Sequence, residues 1–379
     1  MKKKRFIVPF AAALFISLAA ILVSCGKKQP GEKELLKGKA AFSNYDYKTA
    51  AQHFALAAEQ GNAEAQFRLG LCYRNGTGVE IDYQASTNFF RKGTVQGDAK
   101  ALFLLGENYI LGLGVSKDAS KAEKWFRMAM PGLEQAAKKG DPEAQYYLGT
   151  AFDRGYGAEK DPKEAVKWYR KAAEQGYVKA QIFLGGLYRN GDGVEKNPAE
   201  AEKWFGQFVA GARKPAEHGD TWMQKTLGLC YDNGLGVEKD IKEAVKWYRK
   251  AAEQGNTEAQ NNLGYCYHFG SGVEKDLKET VKWFRKAAEQ GDTKGQINLG
   301  FCYRNGDGVE KDLKEAVKWF RKAAEQGDTD AQCFLGIAYE RGDGVKKDLK
   351  EAVKWYRKAA EQGNEMAKDA LEDLEDEED

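Results

Sequence analysis

Residues 257–291 read TEAQNNLGYCYHFGSGVEKDLKETVKWFRKAAEQG, and the pattern in this stretch decides the fold. Its apolar positions predict two helices joined by a tight turn. In the first half, Ala259, Leu263, Gly264 and Tyr267 fall at i, i+4, i+5 and i+8, one face of a 3.6-residue period, and Asn256 stands ready to cap the start. Gly264 has no side chain, so a neighbouring helix can approach closely there. Gly270 and Gly272 stand where a turn needs positive φ, which glycine adopts without steric cost. Asp276 then caps a second helix, with Glu279 three residues on in the arrangement of a capping box. That helix turns Val281, Phe284, Ala287 and Ala288 inward and closes at Gly291.

The same unit recurs on both sides. A Leu-Gly pair places its glycine at Gly70, Gly106, Gly149, Gly185, Gly228, Gly264, Gly300 and Gly336, in steps of 36, 43, 36, 43, 36, 36 and 36 residues. Trp125, Trp168, Trp204, Trp247, Trp283, Trp319 and Trp355 keep the same interval, with Phe89 in their place in the first unit. Seven of the 8 tryptophans thus occupy one structural position, which predicts a stack of identical helical hairpins. The repeat also accounts for the composition. Glycine supplies 42 of 379 residues, above the roughly 7% of ordinary chains, and the excess falls at turns and helix contacts.

The pattern Ala-Gln-x-x-Leu-Gly-x-x-Tyr-x-x-Gly-x-Gly-Val-x-x-Asp, followed by Ala-x-x-Trp-[Tyr/Phe]-x-x-Ala-Ala-x-x-Gly, resembles the Sel1-like repeat, a relative of the tetratricopeptide repeat. The resemblance covers residues 64–363 as eight repeats, six of 36 residues and two of 43. It implies an all-α fold, a right-handed α-solenoid of helix–turn–helix units. Residues 32–63, with Leu35-Leu36-Lys37-Gly38 and a short Asn44-Tyr45-Asp46 turn, resemble a tetratricopeptide unit and are read as an N-terminal cap. Residues 364–379 provide a closing amphipathic helix (Met366, Ala370, Leu374) and an acidic tail.

The two long units carry their seven extra residues between the tryptophan and the closing glycine, Trp125 to Gly140 and Trp204 to Gly219. Seven residues make about two helical turns, roughly 10 Å, and preserve the helix face. Pro131 and Pro215 lie within and are expected to kink or break the extensions. Either these are tolerated insertions at the solenoid edge, or they form a docking ridge on one rim.

Lys2–Arg5 and the apolar run from Phe6 to Val23 have the order of a secretory signal, so residues 1–24 are read as a signal peptide. Leu22-Val23-Ser24-Cys25 resembles a bacterial lipoprotein lipobox. The resemblance implies cleavage before Cys25, a lipid on that cysteine, and residues 25–31 as a short tether. Gly26 is not the aspartate associated with inner-membrane retention, so the resemblance implies an exported lipoprotein at the outer membrane or its periplasmic face. The competing reading is a signal anchor. Net charge is +2, and −2 once residues 2–5 leave 55 basic against 57 acidic side chains. Such a balance, without a basic stripe, is unsuited to nucleic acid.

Catalytic chemistry finds little support. The three histidines, His53, His218 and His268, lie in different units with no partner at metal-ligand spacing. His53 stands at the tryptophan position of the cap, where packing is expected. Cys72, Cys230, Cys266 and Cys302 all fall two residues after the repeat glycine, as small packed thiols. Some secreted members of the resembled family carry a disulfide in each repeat and have been assigned penicillin-binding or β-lactamase activity. The partner cysteine of that pattern is missing here, and the one Ser-x-x-Lys, Ser24 to Lys27, spans the expected cleavage site. Cys302 with Cys333 is the one pair worth testing for a bond. No enzyme, metal, cofactor or small-molecule substrate is expected.

What remains is a surface. Solenoids of this kind bind partners along the concave face built by the first helices. Counted from the repeat glycine, positions −2 and +1 lie opposite the core face and vary widely between units. Tyr147, Phe183, Asn262, Asn298 and Phe334 at −2, and Tyr265, Phe301 and Ile337 at +1, are the candidate anchors for an unidentified peptide or protein, the alternative being that part of this stripe packs against the adjacent repeat. Asn262 and Asn298 are placed to hydrogen-bond an extended backbone. The expected function is a non-enzymatic interaction scaffold of the cell envelope. The alternatives are an envelope enzyme of β-lactam type and an assembly component using the rim extensions.

Overall fold

The computed structural model describes residues 29–376. The expected signal peptide, Cys25, Ser24, Lys27 and the last three acidic residues lie outside that range. Among the described residues there are nineteen α-helices and no strand. They run α1 (Glu32–Ser43), α2 (Tyr47–Glu59), α3 (Ala63–Asn75), α4 (Tyr83–Val95), α5 (Ala99–Leu111), α6 (Ala119–Lys138), α7 (Pro142–Arg154), α8 (Pro162–Glu174), α9 (Val178–Asn190) and α10 (Pro198–Glu217). They continue with α11 (Thr221–Asn233), α12 (Ile241–Glu253), α13 (Thr257–Phe269), α14 (Leu277–Glu289), α15 (Thr293–Asn305), α16 (Leu313–Glu325), α17 (Thr329–Arg341), α18 (Leu349–Glu361) and α19 (Glu365–Asp376). Two compact units divide at Asp220/Thr221, so α1–α10 form the first and α11–α19 the second. Within each unit every helix packs on its sequence neighbours, the arrangement of an α-solenoid. Odd-numbered helices are the first helices of their hairpins.

The hairpin at 257–291 shows why the sequence folds this way. Asn256 accepts from the Ala259 N–H at 2.8 Å, as expected of an N-cap. A Cβ on Gly264 would lie 2.5 Å from the Phe284 ring, so the space the glycine leaves is filled by its own second helix. Asp276 caps α14 by accepting from Lys278 and Glu279, but the reciprocal half of the capping box does not form. The Gly-x-Gly turn brings the Tyr267 carbonyl over the Asp276 N–H at 3.0 Å, which satisfies that donor first. Glu279 is released to bind Lys282 at 2.7 Å and the Trp283 indole N–H at 3.0 Å. The equivalent carbonyls of Tyr231, Tyr303 and Tyr339 serve Asp240, Asp312 and Asp348.

A second regularity concerns the ring that fills the glycine space. It is tyrosine at Tyr169, Tyr248 and Tyr356, where the residue four after the repeat glycine is acidic: Asp153, Asp232 and Glu340. Tyr248 donates to Asp232 at 3.2 Å and Tyr356 to Glu340 at 2.5 Å, while Tyr169 donates to Thr150 at 3.0 Å beside Asp153. Where the ring is Phe90, Phe126, Phe205, Phe284 or Phe320, that residue is Arg74, Ile110, Arg189, His268 or Arg304. A buried hydroxyl requires an acceptor, whereas a bare ring does not.

Successive repeats are joined by glutamines. Gln260 donates to the Ala252 carbonyl of the preceding second helix at 3.0 Å and accepts from Gln290 at 3.0 Å. Gln296 with Gln326 and Gln332 with Gln362 repeat the arrangement. On the outside, lysines stack on the buried indoles, Lys322 lying 3.9 Å from the Trp319 ring centre and Lys358 4.1 Å from Trp355.

The extensions differ from expectation. Both α6 and α10 run 20 residues without a break through Pro131 and Pro215. Proline removes one backbone donor, and the buried apolar face on both sides holds the helix: Met130, Leu133 and Ala137 in α6, Phe208, Ala212 and Ala216 in α10. The added turns of α10 also reach the first hairpin. Tyr45, the one described non-glycine residue with positive φ (62°), sets its ring 5.2 Å from His218 and under the Lys214 ammonium at 5.0 Å. In α19 the inward residue is Ala367, fully buried, while Met366 points out at 55% exposure. Ala370, Leu371 and Leu374 complete the packing.

Candidate functional site

The first-helix faces of the two units are built from equivalent positions and end up chemically different. In the first unit the face is occupied by the protein's own charges. Arg68 of α3 reaches Glu143 of α7 at 3.0 Å, and Lys100 of α5 binds Glu143 at 3.0 Å and Asp141 at 3.2 Å. Arg74 pairs with Glu107 of the next repeat at 2.8 Å. Burial alone would raise the Glu143 carboxyl, but Arg68 and Lys100 outweigh it and hold it below the usual carboxylate range. Under this network Tyr147 is only 4% exposed and packs on Phe103 and Tyr146 at 5.4 and 5.2 Å. Its expected place among the partner-facing anchors is therefore corrected: Tyr147 is a core residue. Phe183 is half-buried against Tyr146 and Tyr169.

In the second unit Lys225 of α11 binds Glu258 of α13 at 2.8 Å, but the rings that follow on this face are exposed. Tyr265 and Phe269 of α13 are 44% and 69% exposed, with ring centres 6.4 Å apart and planes within 10°. Tyr265 donates to Asn298 at 2.8 Å, Asn298 donates to Asn261 at 3.4 Å, and Asn261 donates to Asp292 at 2.8 Å. The Asn298 amide is thus partly engaged by the protein itself, while the half-buried Asn262 amide has no hydrogen-bond partner among the described residues. Phe301, Phe334 and Phe320 pack together, with Phe301 and Phe334 centres 4.9 Å apart and near perpendicular. Beside them a niche of about 20 Å³ is lined by Phe320, Phe334, Ile337 and Ala338, with Arg304 and Asp343. The structure therefore gathers Asn262, Tyr265, Asn298, Phe301, Phe334 and Ile337 on one unit. It adds Phe269 and Arg304, which sequence reasoning missed. An aromatic residue where four of the other repeats carry asparagine (Asn75, Asn190, Asn233 and Asn305) was the available signal for Phe269.

The polar side chains outside this face serve structure. His53 sits 2.7 Å from the Glu34 carboxylate, a polar contact where packing was expected. Cys72, Cys230, Cys266, Cys302 and Cys333 are all buried, and Cys302 and Cys333 form no disulfide. Burial pushes the Cys72 and Cys302 thiols up to about 12. Among the described residues no three His, Cys, Asp or Glu side chains converge as a metal ligand set.

Sel1 repeat sequences match this chain nine times, at residues 33–62, 63–98, 99–129, 142–177, 178–208, 227–256, 257–292, 293–328 and 329–364. The first match falls on the hairpin read from sequence as a cap. The two gaps contain the helical extensions of α6 and α10. Among solved structures, a Sel1 repeat protein from Oxalobacter formigenes is 36% identical over 64% of this chain and 96% of its own, with a TM-score of 0.52. The protective antigen c5321 of uropathogenic Escherichia coli, which displays an SLR fold, is 34% identical over 95% of this chain and 82% of its own, at a TM-score of 0.36. Cysteine rich protein B of Helicobacter pylori is 33% identical over 35% of this chain and 96% of its own, at a TM-score of 0.30. No curated protein matches the chain.

Proposed function

The chain belongs to the Sel1 repeat family, whose members are generally protein-interaction scaffolds, and on that premise we propose that it is a non-enzymatic adaptor of a bacterial envelope. It binds an extended segment of a protein partner along the first-helix face of the second unit and is tethered to the outer membrane through a lipid on Cys25. The observation that carries the binding surface is the contrast between units: charges close the first face, whereas exposed rings and an unpartnered amide lie on the second. Exposed aromatic residues on a rigid helical floor are the usual anchors of an interface. The buried, high-pKa thiols are poor nucleophiles, which favours a scaffold over an enzyme.

A double variant, Tyr265→Ala with Phe269→Ala, tests the surface. It is expected to lose the partners that the unaltered chain captures from an envelope extract, while Met128→Ala, exposed on the first unit, retains them. Equal capture by all three would refute the surface. Fatty-acid labelling of intact cells tests the tether: Cys25→Ser should abolish the label, and persistent labelling would refute it.

A further inference from the structure

The first unit shows what an arginine four residues after the repeat glycine binds. Arg74 holds that position in α3, and its guanidinium takes the carboxylate of Glu107, one residue after the next repeat's glycine, at 2.8 Å. Both side chains are largely buried, at 15% and 20% exposure. In the second unit the equivalent pair is Arg304 and Ile337. The arginine is kept, but isoleucine replaces the glutamate. Arg304 makes no ion pair or hydrogen bond with any described residue. Asp343 lines the same niche without pairing with it. The niche beside Ile337, about 20 Å³ and almost wholly apolar, has room for one methyl group. Phe320 and Phe334 form its wall, next to the rings of the open face.

We propose that Arg304 and this niche receive an acidic residue flanked by a small aliphatic residue from the partner's extended segment, the partner's carboxylate standing where Glu107 stands in the first unit. The inference rests on the groove reading above and adds the partner's chemistry to it. A guanidinium–carboxylate contact at the edge of an apolar pocket is charge-assisted and directional. The aliphatic neighbour excludes water from it. A charged contact of this kind is worth roughly 10- to 100-fold in affinity.

The test uses the full chain in detergent and a phage-displayed library of random dodecapeptides. Peptides selected by the unaltered protein are expected to share Asp or Glu beside Ala or Val. Their synthetic copies should bind roughly 10- to 100-fold more weakly when the acid is replaced by its amide. The same loss should follow from Arg304→Gln, and from Ile337→Glu, which supplies an internal carboxylate. Since Ile337→Glu recreates the Arg74–Glu107 pair, its helical circular dichroism and melting should match those of the unaltered chain; if the variant unfolds, Arg304→Gln decides. Selected peptides that need Tyr265 and Phe301 but show no acidic preference, or ignore Arg304→Gln, would overturn this inference and leave the groove standing. If no peptide is enriched, or if binding is indifferent to Tyr265→Ala and Phe301→Ala, both fall.

Discussion

Replacing Gly300 by alanine isolates the contact on which every hairpin depends. The new Cβ would lie 2.5 Å from Cε1 and 2.8 Å from Cδ1 of Phe320, where carbon contacts settle at roughly 3.5–4.0 Å. The ring has to move by about an ångström. It is 3% exposed and held by Phe301 and Phe334, so it cannot retreat without disturbing the face that we propose binds the partner. Overpacking of this kind costs about 1–3 kcal/mol. Alanine returns about 1 kcal/mol through helix propensity. With the ring pinned, the steric cost lies toward the upper end, and the net destabilisation is about 1–2 kcal/mol. Gly186 of α9 is the control, because an added Cβ there meets nothing within 4 Å. Gly186→Ala should therefore stabilise by about 0.5–1 kcal/mol. Urea unfolding followed by circular dichroism measures both, and Phe320→Leu in the Gly300→Ala background should recover part of the loss. If Gly300→Ala proves as stable as Gly186→Ala, the ring contact does not constrain the hairpin.

Phe320→Tyr alone should lower stability by about 1–3 kcal/mol, because it buries a hydroxyl beside Arg304, which offers no acceptor. Adding Arg304→Asp should restore stability, as Asp232 does for Tyr248, and a thermal-melt cycle reads the coupling. Glu143 has a folded pKa below its unfolded value of 4.5, so its ion pairs contribute stability above about pH 4.5 that disappears as pH falls through the folded value. Melting between pH 3 and 7 should show Glu143→Gln less stable at neutral pH and flatter in that acid window. The thiols of Cys72, Cys266 and Cys302, raised to about 12, 11 and 12, should resist iodoacetamide at pH 8 in the native protein and react in urea. Tyr45→Ala, or Lys214→Ala with His218→Ala, should accelerate hydrogen exchange at residues 44–46 and 213–218 with little change in helix content; unchanged exchange would show that the ring contacts do not hold α10 to the first hairpin.

Much of the hairpin was readable from single residues. Gly264, the Gly270–Gly272 turn, the Asp276 cap and the 36-residue interval specify helix, turn and helix from interactions closing within about twenty residues. The tyrosine–acid pairs were equally present, sixteen residues apart, although they become intelligible only once the phenols are seen to be buried. The capping box expected at Glu279 does not close because the competing acceptor, the Tyr267 carbonyl, comes from the preceding helix and carries no side-chain signature.

The partner face divides along the same line. Tyr147 and Asn298 both stand at position −2, and nothing local separates them. Tertiary structure does, because Arg68 and Glu143 meet across 75 residues and close the first unit over Tyr147, whereas Tyr265 in the second unit stays 44% exposed. The two added turns of α10 acquire a role when they bring Lys214 and His218 to Tyr45. Sequence by itself determined the repeat, its helices and its turns, because backbone hydrogen bonds and amphipathic periodicity are short-ranged. Only the packed chain decided which equivalent positions stay exposed, since exposure depends on side chains delivered from other repeats.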